Sequence, residues 1–396
     1  MNTPHKILLI DDDHDVGEVV TAAAEGLGMQ CTATTSPNAF LEALTPETSL
    51  IFLDLVMPEL DGIELLRILS RRESTPRIVL MSGIGKRIVE TAHTLGESLG
   101  LSIAGHLNKP FRLVELEELL TRQIETQSQP AHLRQTPLDI EEAELVAALD
   151  RDEFVLHYQP QIDLASGHVY GVEALVRWHH PARGLIFPDA FIPLAERRSL
   201  IDRLGWIVLN RGLSEIHPLK SSEGMPLTLS LNVSVQSLRD LTFPDRFIAL
   251  AHAYGVTPRR VVLEITEGGL IQELSSSLDV LTRLRMKNVQ LSIDDFGTGY
   301  SMLAQLRNIP ATELKIDRSF VREIHTSSSD RIMVQKTIEI GHELGMKVIA
   351  EGVEDTEQLQ FLRINHCDYV QGYLFSKPVP PPVLEKWLAA YHPPNS

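Results

Sequence analysis

The sequence is poor in cysteine, in tryptophan and in positive charge. Cys31 and Cys367 are the two cysteines among 396 residues, far apart and in no CxxC or Cys/His cluster. Neither a zinc site nor a disulfide framework is expected, and both thiols read as reduced and intracellular. Lys and Arg number 36 against 53 Asp and Glu, a formal net charge of −17. Acids outnumber bases in both halves of the chain, so neither half offers the general basic surface that neutralises nucleic-acid phosphates. No apolar run approaches the roughly 18 residues of a membrane span. Asp11, Asp12 and Asp13 follow Ile7–Ile10 so early that no signal-peptide core forms. The chain is expected to work in the cytoplasm, away from membrane and DNA.

What remains is globular. Hydrophobic residues make up 43% and charged residues 22% of the chain, enough to bury a core. Short apolar runs at Ile7–Ile10, Leu50–Leu53 and Arg77–Met81 alternate with helix-period stretches at Val16–Leu27 and Gly62–Arg71. This pattern predicts a doubly wound α/β domain with a parallel sheet over 1–126, closed by a helix at Leu113–Ile124. Residues 127–140 form a polar tract with two prolines and no periodicity, the expected linker. From 141 to 396 strand-like runs recur at longer intervals: Thr228–Val233, Val261–Ile265, Val289–Ile293, Leu314–Ile316, Lys347–Ala350 and Tyr369–Phe375. Repeated β/α units over about 250 residues predict a TIM-type barrel.

Ligands in an open α/β sheet bind at the carboxyl ends of the strands. In the first domain those ends carry Asp11 and Asp12, then Asp54, then Ser82, then Lys109. Taken singly, each is an ordinary cap or turn residue. Together, three converging carboxylates repel unless a hard cation with oxygen ligands, Mg²⁺ above all, joins them. Asp54 can then accept a phosphoryl group, with Lys109 and the Ser82 hydroxyl pairing the new oxygens.

The later region repeats this logic on a larger scale. Glu173, Asn232, Glu264, Glu267, Asp294, Asp295, Lys315, Asp317 and Glu351 each interrupt or end an apolar strand. Catalytic residues of barrels come from several strand ends. With no Cys or His beside them, the ligand set is all oxygen and suits Mg²⁺ or Mn²⁺. Adjacent Asp294 and Asp295 can serve two ions, and a pair about 4 Å apart can activate water for an in-line displacement at phosphorus. His179-His180 reads as a turn before Pro181, and Trp178 as a packed residue.

Residues 1–126 resemble the response-regulator receiver domain, a flavodoxin-like fold, with Asp54 inside Asp54-Leu55-Val56-Met57-Pro58-Glu59-Leu60-Asp61-Gly62. Three residues before Lys109, where receivers carry an aromatic that reorients on phosphorylation, stands His106. Residues 141–396 resemble the EAL domain, a modified (β/α)₈ barrel that hydrolyses the bacterial second messenger cyclic di-GMP to linear pGpG. The naming motif is Glu173-Ala174-Leu175; the longer marks are Tyr158-Gln159-Pro160, Asp294-Asp295-Phe296-Gly297-Thr298-Gly299-Tyr300-Ser301 and Gln371-Gly372-Tyr373-Leu374-Phe375-Ser376-Lys377-Pro378.

The resemblance implies that Glu173, Asn232, Glu264 and Asp294 hold one metal, and Asp294, Asp295 and Glu351 a second. It implies that Lys315 positions the attacking water and that Arg177 grips a substrate phosphate, with Gln159, Leu175 and Gln371 beside the substrate. Glu267 would anchor the Gly297–Ser301 loop, which shapes the metal site and a dimer contact. Met302 stands where that loop more usually has a second Ser. The implied partners are cyclic di-GMP, a sensor histidine kinase as phosphodonor, and further copies of the chain through the barrel. Two other outputs fit the same architecture: a cyclic di-GMP receptor that binds without cleaving, and a barrel that only docks a protein. The presence of every metal ligand and of Lys315 favours the enzyme.

Overall fold

The computed structural model describes residues 6–58, 60–72, 76–83, 86–128, 140–221, 223–297 and 303–393. They divide into two compact units with the boundary at Thr136/Pro137. The tract 129–139 and the loop stretch Thr298–Met302 lie outside the described residues.

The first unit is a parallel sheet of five strands: β1 (Lys6–Ile10), β2 (Gln30–Thr34), β3 (Thr48–Asp54), β4 (Arg77–Ser82) and β5 (Ile103–Asn108), in the order 2-1-3-4-5. The central strands are almost wholly apolar because parallel strands are covered on both faces. Accordingly Leu8, Ile10, Ile51 and Leu53 enter one core, and Ile7, Leu9, Leu50 and Phe52 the other. Strand β2, Gln-Cys-Thr-Ala-Thr, is the exposed edge and carries no apolar run, so sequence patterning passes over it. The closing helix runs from Leu113 to Ser128. It extends past its expected end into the expected linker, because no Pro or Gly intervenes before Pro130.

The second unit is a closed ring of eight strands: β6 (Phe154–Asp163), β7 (Val169–His180), β9 (Thr228–Asn232), β10 (Val261–Thr266), β11 (Gln290–Phe296), β12 (Glu313–Ile316), β13 (Lys347–Ala350) and β14 (Tyr369–Val370). The short β8 (Gly184–Ile186) pairs outside the ring with β7. The barrel is modified in one respect: β6 runs antiparallel to both its neighbours, β7 and β14. Alternation sorts the side chains. Leu263, Ile265, Leu291, Ile293 and Leu314 pack outward into the helix-facing core. Glu264, Ser292, Asp294, Glu313 and Lys315, buried but outside every apolar cluster, line the interior.

Two local features differ from the sequence patterning. The β6–β7 hairpin carries too many polar residues to read as apolar strands. The run Tyr369–Phe375 is strand only through Val370, after which the chain folds across Val353, with Val353 N–H donating to Gln371 O (3.1 Å) and Leu374 N–H to Val353 O (3.0 Å). Gly372 makes this crossing possible, since a Cβ there would stand 2.0 Å from Val353 O and 2.3 Å from its N. The clash is with backbone, so no rotamer relieves it. Gly372→Ala is expected to lower the barrel's melting temperature by about 5–10 °C in calorimetry. Gly268→Ala, where nothing lies within 4 Å of the added carbon, should leave it within about 2 °C.

Candidate active site and phosphoacceptor pocket

In the first unit, Asp11 follows β1, Asp54 ends β3, Ser82 ends β4 and Lys109 follows β5, all at the carboxyl edge of the sheet. Carboxylate oxygens of Asp11, Asp12 and Asp54 lie within 4.8 Å of one another. Lys109 Nζ bridges two of these acids, at 2.6 Å from Asp11 Oδ2 and 2.7 Å from Asp54 Oδ2. Burial pushes the Asp11 carboxyl above its ordinary range despite Lys109. Burial likewise depresses Lys109, but its bonds to Asp11 and Asp54 outweigh that and leave it raised. Gly62 lets the next helix approach: a Cβ there would meet Asp54 O at 2.6 Å. Asp61 caps that helix by accepting from Glu64 N–H (2.8 Å). His106 is exposed on β5, paired in register with Leu80.

In the barrel, the acids gather on the interior. Oxygens of Glu173, Glu264 and Asp294 form one set within 4.8 Å, and those of Asp294, Asp295 and Glu351 a second, so Asp294 belongs to both. Consecutive residues on a regular strand face opposite ways. Here the β11–β12 register shifts between Ile293 and Phe296, and Asp295 adopts a left-handed φ of 55°. This bulge turns both aspartates to the same rim. It is a strained conformation of the kind that clusters at functional sites.

Lys315 Nζ stands among four carboxylates: Glu351 at 2.6 Å, Glu264 at 2.9 Å, Asp294 at 3.1 Å and Glu173 at 3.6 Å. One ammonium cannot balance five acids. Burial, then the Glu173 charge, hold Glu264 well above the usual carboxylate range. Burial raises Glu351 to about 8 and Asp295 to about 6. Glu173 is also pushed up by burial, but Lys315, Gln371, Glu264 and Asn232 together bring it below its ordinary value. The donor set fits divalent cations on its own chemistry. It is all oxygen, it carries surplus negative charge, and Glu264 Oε1 is buried with no hydrogen-bond partner among the described residues.

The flanking residues are held in a polar chain. Gln371 Nε2 donates to Glu173 Oε2 (2.6 Å) and Gln159 Oε1 (2.9 Å); Gln159 Nε2 donates to Ser376 O (3.0 Å). Asn232 Nδ2 donates to Glu173 Oε1 (3.1 Å). Glu173, Leu175 and Arg177 share one face of β7. Among the described residues, Arg177 donates through Nη1 to Val176 O (2.8 Å), and its buried Nε has no hydrogen-bond partner there. Its guanidinium lies 5.0 Å from the centre of the exposed Phe187 ring. Glu267 Oε2 accepts from Gly297 N–H (2.8 Å), tying the first described residue of the 297–301 loop to β10's end.

Asp317 belongs to neither acid triad; it caps a helix through Ser319 N–H (2.9 Å), and its charge adds to those that raise Asp295. Trp178 is packed, donating to Glu153 (2.9 Å). His180 Nδ1 accepts from Ala182 and Arg183 N–H at 3.1 and 3.0 Å, which closes the turn. Sequence reasoning missed Phe187 and Glu313. The short β8 preceding Phe187 gives no signal. The alternation Glu313-Leu314-Lys315 could have placed Glu313 beneath Lys315.

Fold and sites together define a two-unit protein, each unit presenting a pocket of acidic oxygens at the carboxyl ends of parallel strands. The chain belongs to the EAL domain family: that family's model matches residues 142–378, and the response regulator receiver domain model matches 7–121. It is 35% identical over 333 residues to cyclic di-GMP phosphodiesterase RocR of Pseudomonas aeruginosa, covering 83% of each. It is 44% identical over 250 residues to cyclic di-GMP phosphodiesterase NbdA of the same organism, spanning 63% of this chain and 32% of that protein. Among solved structures, the PaMucR phosphodiesterase in complex with c-di-GMP superposes with a TM-score of 0.58 at 37% identity, covering 61% of this chain and 98% of that one. Among the described residues, no helix is long and apolar enough to cross a membrane.

Proposed function

We propose that the chain is a cytoplasmic response regulator that hydrolyses cyclic di-GMP to linear pGpG, with turnover set by phosphorylation of Asp54. The observation that carries the hydrolytic reading is the pair of acid triads sharing Asp294 around Lys315. The reading assigns 1–126 to the receiver, 127–140 to the linker and 141–396 to the barrel. RocR, whose name carries this activity and which this chain covers over 83% of its length, supports it.

In this reading Glu173, Asn232, Glu264 and Asp294 hold one Mg²⁺ or Mn²⁺, and Asp294, Asp295 and Glu351 hold the other. Two ions held there would supply an activated water and neutralise the charge that develops on the phosphoryl and leaving oxygens. Lys315 holds the attacking water in line through its ammonium protons. Arg177, whose Nε is unbonded among the described residues, grips the non-bridging phosphate oxygens. Gln371, Gln159 and Leu175 shape the floor beside the sugar-phosphate ring, and Glu267 fixes the loop at Gly297. One bond from phosphorus to the bridging 3′ oxygen breaks, one to the water oxygen forms, and the leaving alcohol takes up a proton. In the receiver, Asp11, Asp12 and Asp54 hold one Mg²⁺, and a sensor histidine kinase supplies the phosphoryl group. Further copies of the chain assemble through the barrel.

The test is product analysis on purified full-length chain with Mg²⁺ or Mn²⁺. Linear pGpG should form, and Glu173→Ala should reduce its rate at least about 100-fold. Cyclic di-GMP left intact by the wild type would sink the hydrolytic reading, and tight binding without turnover would identify a receptor.

A further inference from the structure

Beneath the acid ring, the barrel interior carries a second polar layer that the hydrolytic reading does not use. Two residues below Asp294 on β11 stands Ser292, two below Lys315 on β12 stands Glu313, and two beyond Gln159 on β6 stands Gln161. Side chains two apart share a strand face one pleat apart. Ser292 and Glu313 are register partners on neighbouring strands. All three side chains are at most 1% exposed. Each keeps a buried oxygen without a hydrogen-bond partner among the described residues: Gln161 Oε1, Ser292 Oγ and Glu313 Oε2.

The other atoms of these groups are engaged. Tyr170 Oη donates to Glu313 Oε1 (2.8 Å) from across the barrel, its ring stacked on Tyr369 at 4.0 Å. Gln161 Nε2 reaches Ser230 Oγ at 3.5 Å. Buried polar groups in native proteins are rarely left unpaired, and one small donor commonly serves several at once.

We propose that this layer is a buried water-binding site, with Gln161 Oε1, Ser292 Oγ and Glu313 Oε2 as its protein ligands. Water fits better than a monovalent cation for two reasons. The Lys315 ammonium lies one pleat above and repels positive charge. Burial also raises Glu313 to about 7 even with Tyr170 and Lys315 acting against it, so the layer holds less than one full negative charge at neutral pH. The water accepts from the Ser292 hydroxyl and donates to Gln161 Oε1 and Glu313 Oε2, and it hydrates the floor under Lys315. The inference rests on this chain's interior alone and stands whether or not the barrel turns over cyclic di-GMP.

The test exploits a difference of sign. If Ser292 Oγ bonds a water, Ser292→Ala in the full chain removes that bond and should lower the melting temperature by about 2–4 °C. If the layer is dry, the same change deletes an unpaired hydroxyl and leaves the melting temperature unchanged or higher, which overturns the proposal. A crystal structure of the full chain at high resolution supplies the second readout. It should show ordered water within about 2.6–3.2 Å of all three oxygens. Three oxygens facing one another with no density between them would refute the site. So would density replaced by a heavier monovalent cation on soaking.

Discussion

Lys315→Met is expected to reduce hydrolysis of cyclic di-GMP by two to four orders of magnitude, the range for losing a group that orients or transfers the reacting proton. The same substitution should have a second effect that depends on metal. Without divalent ions, the Lys315 ammonium is the cation that four carboxylates share. Removing one partner of a buried ion network costs about 3–5 kcal/mol, because the charges left behind stay buried. In EDTA at pH 8 the barrel's melting temperature should therefore fall by about 10 °C. Added Mg²⁺ or Mn²⁺ should restore most of it, because the ions neutralise the acids directly, while leaving turnover lost. Recovery of activity with metal would remove Lys315 from the reaction. Unchanged stability in EDTA would show that the acids do not depend on it.

The acid ring also fixes how stability responds to pH. Glu264 is held well above its ordinary value, Glu351 at about 8 and Asp295 at about 6. Unfolded carboxyls titrate near 4. Between those limits the folded state binds more protons than the unfolded chain, so stability contributed by these groups is greatest in acid and declines as pH rises to about 8. Glu173, held below its ordinary value, acts in the opposite sense, and its contribution is lost as pH falls through that lowered value. Divalent ions favour the ionised ring and should flatten the decline.

Much of this was legible in the sequence because each site residue sits where an apolar run stops. Asp11, Asp54, Glu264 and Lys315 are polar residues in or directly after buried strands, and strand ends are where both folds place their chemistry. Three things were hidden for physical reasons. The exposed edge strand Gln30–Thr34 needs no apolar run, so it left none. That Asp294 and Asp295 serve one site was legible from their adjacency; the register shift and left-handed Asp295 that turn both to one rim against strict alternation were not. Gly372 reads as a turn residue, yet its job is to let the chain press against Val353. Arg177 was visible as a cation in a strand. That its guanidinium lies over Phe187, with Nε unbonded among the described residues, became clear only from the fold.

Asp54→Asn is expected to abolish both covalent phosphorylation and every response of turnover to a phosphodonor. Asp54 Oδ2 now shares the Lys109 ammonium with Asp11, with all three groups largely buried. A phosphoryl group on Asp54 adds about −1.5 to −2 charges and three acceptor oxygens. It should draw Lys109 away from Asp11 and recruit the Ser82 hydroxyl at the end of β4. Lys109 is the residue placed to feel it. With a small-molecule phosphodonor and Mg²⁺, the wild type should gain one phosphoryl group by intact-mass measurement, and its turnover should change about 5–150-fold, the usual span of coupling between two sites. Asp54→Asn should gain none and hold its basal rate. Lys109→Met should still accept phosphoryl, more slowly, yet show no change in turnover. Identical kinetics in wild type before and after confirmed modification would separate the receiver from control of the barrel.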